Sequence, residues 1–199
     1  MLIDLNHLHY WMCAIRSSSN PQRTLDAFWK GQLTSKEWLC LELQKHISNP
    51  VTIDIYGGWV GVLASMIFQS DIPVRFIRSI DIDPHCESIA IMMNKIEEIS
   101  GKFSAITADM CSVVSNADIV INTSCEHITQ KQYNIWLELL PINSLIVLQS
   151  NNYKITEHIR TSDSLDDFKK QSKIDVLWEG EFDLPLYRRF MIIGKKNNV

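Results

Sequence analysis

The stretch that most constrains this chain is residues 51–63, VTIDIYGGWVGVL. It opens with β-branched residues, carries Asp54, breaks at Gly57 and Gly58, and continues as small apolar residues to about Gln69. That pattern predicts a strand passing through a glycine turn directly into a helix. The first N–H groups of such a helix have no backbone partner, so an anion or a polar nucleotide edge suits them. The spacing Tyr56-x-Gly58-x-x-Gly61 is a G-x-G-x-x-G turn with tyrosine in the first position. The same turn also serves where a helix simply packs on a sheet, so its meaning depends on what surrounds it.

Helical patterns come before it. Leu2, Leu5, Leu8, His9, Met12 and Ile15 recur at mixed three- and four-residue steps, until Ser17-Ser18-Ser19-Asn20-Pro21 interrupts them. A second helix is expected over 22–30, and a third capped by Thr34 or Ser35 and stopped by Asn49-Pro50. After residue 50 strands and helices alternate. Strands are predicted over 51–56, 74–81, 104–107, 117–122 and 144–149, with helices over 60–69, 84–100 and 129–140. The strands are nearly continuous apolar runs, as in a parallel sheet covered on both faces. After a short helix over 165–170, strands over 175–182 and 189–195 are separated by too few residues for a crossover helix. They are therefore expected to pair antiparallel. The fold class read from this order is α/β: a Rossmann-like, seven-stranded, mostly parallel sheet closed by a C-terminal antiparallel pair and preceded by N-terminal helices.

A chain of 199 residues with net charge −4 reads as one domain, and its basic residues occur as scattered short pairs. A duplex nucleic-acid binder needs a concentrated basic face, so nucleic acid is disfavoured as a partner. Five cysteines form no C-x-x-C pair, which predicts reduced thiols rather than disulfides or a zinc knuckle. No apolar run is long enough to cross a bilayer and the first residues lack a signal-peptide pattern, so the expected location is the cytoplasm.

In open α/β sheets ligands bind beyond the carboxyl ends of the strands. The polar residues there are Asp54, Asp81 and Asp83, Asp109, the run Asn122-Thr123-Ser124-Cys125-Glu126-His127, and Gln149-Ser150-Asn151-Asn152-Tyr153. Asp81 closes an apolar strand and, as an acceptor-only carboxylate, suits a ribose diol. Asp83, preceding Pro84, suits a helix cap instead.

With these residues in place, the chain resembles the class I S-adenosylmethionine-dependent methyltransferases over about residues 51–196. DIYGGWVG stands at the glycine-rich motif, SIDIDP at the acidic second-strand motif, TADM at the third and ADIVINTS at the fourth. The closing antiparallel pair is shared as well, and it sets the chain apart from nicotinamide-dependent oxidoreductases. The resemblance implies S-adenosyl-L-methionine as cofactor and a small molecule or exposed protein group as methyl acceptor. It also implies a domain over 51–199, with residues 1–50 as a helical lid or extension and the 32–36 segment as that lid's polar turn. It places Gly57, Gly58 and Trp59 against the methionine part and Asp81 at the ribose, with Asp54, Tyr56 and Ile82 also among the cofactor-binding residues. Asp109 and Met110 would border the adenine, and Asn122 and Thr123 the sulfonium. The family's Asn-Pro-Pro-Tyr signature is replaced by Asn122-Thr123-Ser124-Cys125, so methylation of a base or glutamine amine is not implied. A non-catalytic binding or assembly protein on the same fold is the competing reading.

His127 is the candidate base, because an imidazole titrates near neutrality, with Glu126 as its assistant. Equally, Glu126 and His127 open the helix after the fourth strand, where a carboxylate is favourable. Cys125 is read as a packed residue rather than a nucleophile. Glu157-His158 repeats the Glu-His dipeptide, but adjacent residues on an element point apart and no H-x-x-x-H spacing occurs, so no metal is expected.

Overall fold

The computed structural model describes residues 4–196, so Leu2 of the first apolar set lies outside the described residues. The chain divides into two compact units, residues 1–109 and 110–199.

In the first unit, Asp4 caps α1 (Leu5–Ser17) by accepting from the Asn6 and His7 amides at 2.8 and 3.4 Å. Asn20 caps α2 (Pro21–Asp26), which begins with proline, a residue suited to the first helical turn because its missing N–H has no helical partner there. The third helix, α3 (Lys30–Leu43), starts before the expected cap. Thr34 Oγ1 donates to Lys30 O at 2.7 Å and Ser35 Oγ to Gln32 O at 3.1 Å. Their hydroxyls are satisfied inside the helix, so neither caps its start and the 32–36 segment is helical, not a turn. Ser35 and Lys36 are buried.

β1 (Val51–Tyr56), α4 (Val62–Phe68) and β2 (Val74–Asp81) follow. The helix expected over 84–100 is two, α5 (Pro84–Met93) and α6 (Lys95–Ile99). Asn94, at the break, is buried and its Nδ2 donates to Ala90 O and Gly61 O, each at 3.0 Å. That amide ties the helix to the turn before α4, and the backbone at Asn94 leaves helical geometry. β3 (Phe103–Thr107) completes the unit. Ala14, Ala27, Val60, Val62, Cys86, Ile89 and Met93 form one apolar cluster joined by Trp11, Phe28 and Trp59, so α1 and α2 pack into the core beside α5. His7 adds a polar clamp, its Nε2 lying 2.8 Å from Glu97 Oε1 on α6.

The second unit contains β4 (Ile119–Asn122), α7 (Gln130–Glu138), β5 (Leu145–Asn151), α8 (Leu165–Ser172), β6 (Ile174–Asp183) and β7 (Arg188–Lys196). Thr129 and Gln132 make a reciprocal capping box at the start of α7, and Ser164 caps α8. The seven strands run in the order β3-β2-β1-β4-β5-β7-β6. β1, β2 and β3 are parallel, β4 pairs parallel with β5, and β7 is antiparallel to both β5 and β6. Among the described residues no helix is long and apolar enough to cross a membrane.

Candidate functional site

Register fixes the site's first part. Tyr56 pairs with Ile80, and Asp81 with Thr107, so the three parallel strands of the first unit end together. Tyr56 is wholly buried and ends the strand with an ordinary backbone. The left-handed conformation falls on Gly57 (φ 65°), so tyrosine at the first motif position leaves the turn intact. Gly58 has a steric reason: a Cβ there would lie 2.0 Å from Ser79 Oγ.

Trp59 adopts φ 49°, an uncommon conformation for a bulky residue that persists only where surrounding contacts hold it. The contact here is Asp81. Trp59 N–H donates to Asp81 Oδ2 at 2.8 Å, and Asp83 N–H donates to Oδ1 at 3.0 Å. Two backbone donors thus aim one half-buried carboxylate, and each of its oxygens keeps a lone pair. The Trp59 indole packs with the α1–α2–α5 cluster, while its Nε1 is buried without an acceptor. Ile82 and Asp109 are exposed. Beside this turn lies a cavity of about 220 Å³, lined by Ser18, Asn20, Arg23, Val60, His85 and Ile89 among others.

Two other carboxylates have different work. Asp54 is buried and receives Arg78 Nε and Nη2 at 3.0 and 2.5 Å, from the residue facing it across β1 and β2. This hydrogen bond, offset in part by burial and helped by the charge, raises the Arg78 pKa. Asp83 accepts from His85 N at 2.9 Å, capping α5, and pairs with Arg23 Nη1 at 2.6 Å. The His85 amide first, and Arg23 after it, hold the Asp83 carboxyl below its usual range against burial.

The second unit's polar loop follows β4. Met110 opens a single 3₁₀ turn well before it. Asn122 is buried and its Oδ1 accepts from Ser124 N at 2.9 Å, folding the chain back on itself. Thr123 offers its carbonyl to Arg189 Nη2. Cys125 is fully buried, and burial pushes its thiol up to about 12, so it stays a protonated packing residue.

Glu126 is 3% exposed. Its Oε1 receives Arg189 Nη1 and Asn151 Nδ2, both at 2.6 Å, and its backbone oxygen receives the Ile159 and Arg160 amides at 2.9 and 3.0 Å. Those bonds pull the loop after β5 against the loop after β4. Arg160 reinforces them, donating from Nε to Cys125 O at 3.2 Å and lying 4.4 Å over the Tyr133 ring. His127, exposed, is thereby brought beside His158, the two rings meeting edge to face at 4.7 Å between centroids. Tyr153 extends the cluster, stacking on Tyr187 at 5.5 Å.

Arg160 was not among the residues expected from the sequence, and neither Asn151 nor Arg189 was expected to hold Glu126. Arg188-Arg189 reads there as a solvated pair at a strand end. Arg188 is exposed and bonded to Glu181 and Asp183, whereas Arg189, one residue on, faces inward. The two-residue period of β7 carries that difference, but only once the register is known.

No family model matches the sequence, and no curated protein matches it. Solved structures do. The chain is similar to magnesium protoporphyrin IX methyltransferase (ChlM) from Synechocystis PCC 6803 with bound SAH, at 12% identity and TM-score 0.66, covering 96% of this chain and 94% of that one. It is similar to the N-methyltransferase NodS from Bradyrhizobium japonicum WM9 in complex with S-adenosyl-L-homocysteine, at 10% identity and TM-score 0.66, covering 95% and 99%. TehB from Haemophilus influenzae matches at 12% identity and TM-score 0.61, covering 80% of this chain, which spans 62% of TehB. The mostly parallel sheet with its antiparallel β5-β7-β6 end is thus the class I S-adenosylmethionine-dependent methyltransferase fold.

Proposed function

We propose that this chain is an S-adenosyl-L-methionine-dependent methyltransferase acting on a small molecule or an exposed protein group. The observation that carries the reading is Asp81, held by the Trp59 and Asp83 amides at the end of β2 with a lone pair left on each oxygen. A ribose diol needs two such acceptors side by side. The residues present fit the cofactor in a second respect: the orphaned Trp59 Nε1 is a donor suited to a carboxylate such as the methionine end carries.

When bound, S-adenosyl-L-methionine supplies an activated methyl group on a cationic sulfur. The chain's part is alignment, and removal of a proton where the acceptor carries one. Gly57, Gly58 and Trp59 receive the methionine end, Asp81 with Ile82 the ribose, and Asp109 with Met110 the adenine edge. Asn122, ending β4, and Thr123, just after it, keep the role that the resemblance gives them. Asp54 and Tyr56 leave the cofactor set in this proposal: one is committed to Arg78 and the other is sealed in the core. Among the two catalytic candidates, His127 is exposed and can meet an acceptor, whereas Glu126 is buried, is anchored through Oε1 by Arg189 and Asn151, and acts as a positioning residue. Of the N-terminal helices, α1 and α2 pack in the first unit, and their proposed role is to wall the cavity beside the glycine turn rather than to close as a lid. The five cysteines, none of them in a disulfide, fit a reducing compartment such as the cytoplasm.

Calorimetric titration with S-adenosyl-L-methionine and S-adenosylhomocysteine tests the reading. Binding of both is expected, and absence of heat with either, for folded protein, would overturn it. The enclosure of Glu126 favours one alternative, a binding protein without turnover. Release of S-adenosylhomocysteine on incubation with small-molecule extracts would exclude that alternative.

A further inference from the structure

We infer that Glu126, His127 and His158 form a binding site for a divalent transition-metal ion of the zinc class. One ligand atom from each of the three lies within 4.8 Å of those of the other two. They come from different loops, after β4 and after β5, so their approach is made by the fold and not by a sequence motif.

Three observations point the same way. His127 Nδ1 lies 3.0 Å from Glu157 O, and His158 Nδ1 lies 2.6 Å from Tyr153 O. A carbonyl oxygen only accepts, so each Nδ1 carries the hydrogen and the neutral ring keeps its lone pair on Nε2. This is how ligating histidines are usually oriented, by an outer partner on the other nitrogen. Glu126 is prepared in the same manner: Arg189 and Asn151 anchor Oε1, while Oε2 is buried with no partner. A nine-tenths-buried carboxylate oxygen without a donor is costly, and a cation would satisfy it.

The three ligands form a two-histidine, one-carboxylate set, which leaves coordination positions open. Zinc–nitrogen bonds of about 2.0–2.1 Å put tetrahedral ligand atoms roughly 3.3 Å apart, so binding draws the loops together by up to roughly 1.5 Å. His158 lies outside helix and strand, where the backbone has room for that movement, while His127 ends the single 3₁₀ turn Cys125–His127. The Arg189 charge beside Glu126 weakens the site and keeps it from being a permanent structural centre. Ion binding commits the His127 lone pair, so the base role proposed for His127 belongs to the metal-free protein, and an acceptor's oxygen or nitrogen would then be drawn to the open positions.

The test uses the full chain, stripped with chelator and titrated with Co²⁺, whose visible spectrum reports coordination by nitrogen ligands. The expected result is one Co²⁺ per chain, displaced by Zn²⁺, with His127→Ala and His158→Ala each weakening binding at least about tenfold. Both positions are outside the apolar core, and a circular dichroism melt verifies that each variant folds. Asp81→Asn is expected to leave Co²⁺ binding unchanged, which separates this inference from cofactor binding. No saturable Co²⁺ binding by the folded wild-type chain would overturn it. So would binding that survives in the His127→Ala/His158→Ala double variant, because that places the ion elsewhere, for example at His9 and Cys13 on α1.

Discussion

Replacing Asp81 with asparagine separates what the carboxylate does for the turn from what it does for a ligand. In the native chain both oxygens accept a backbone N–H, from Trp59 at 2.8 Å and Asp83 at 3.0 Å. Asparagine has one acceptor and one donor at the same two places, so in either orientation an NH₂ group faces an amide N–H. One hydrogen bond to an anion is lost and a donor is left unmet, which for a half-buried group costs about 1–2 kcal/mol of stability. The φ of 49° at Trp59 is released at the same time, so local loosening of the 57–61 turn should accompany the loss. Cofactor binding falls separately. A hydroxyl-to-carboxylate bond contributes about 1.5–3 kcal/mol, so the dissociation constant for S-adenosylhomocysteine should rise roughly ten- to hundredfold. Calorimetry gives the affinity, and denaturant titration gives the stability. If folded Asp81→Asn binds S-adenosylhomocysteine as tightly as the wild type, the ribose assignment is wrong.

Arg189→Met should destabilise the second unit by about 3–5 kcal/mol, because it strands the buried Glu126 charge. Adding Glu126→Gln should restore part of that loss, and additive effects in the double-mutant cycle would show that the two groups do not interact. At His7, burial, the largest single influence, lowers the pKa, but Glu97 and Asp4 together outweigh it and the net shift is upward. Its folded-state value therefore exceeds 6.5, and the clamp's stabilisation is present below 6.5 and lost as pH rises through the folded value. Thermal melts across that range should show the decline in the wild type and not in His7→Ala. Burial pushes the Cys40, Cys86 and Cys125 thiols up to about 12. Native protein treated with iodoacetamide near neutral pH should therefore be labelled at Cys13 and Cys111 only, as peptide mass spectrometry can read; prompt labelling of Cys125 would contradict its burial.

Local sequence determined the parts of this protein that rest on local physics. Alternating apolar strands and helices specified the α/β class, a short connection before β7 specified the antiparallel pair, and glycines at 57, 58 and 61 specified the turn. Asp81 was singled out because an acceptor ends an apolar strand there, and the structure holds its carboxylate by the Trp59 and Asp83 amides. Helix boundaries were less legible, since a hydroxyl at Thr34 or Ser35 bonds as readily to a carbonyl one turn back as to an N-terminal amide. Likewise the break at Asn94 depends on Gly61, a partner remote in the chain.

Tertiary structure alone decided which charges have which neighbours. Asp54 became a partner of Arg78 through strand register, and Glu126 became a partner of Arg189 across strands distant in sequence. His127 and His158 met because two loops are tied by backbone bonds to Glu126. No local pattern encodes these meetings: an ion pair or a ligand set needs side chains within a few ångströms, and that distance is set by the register and folding of segments far apart in the chain.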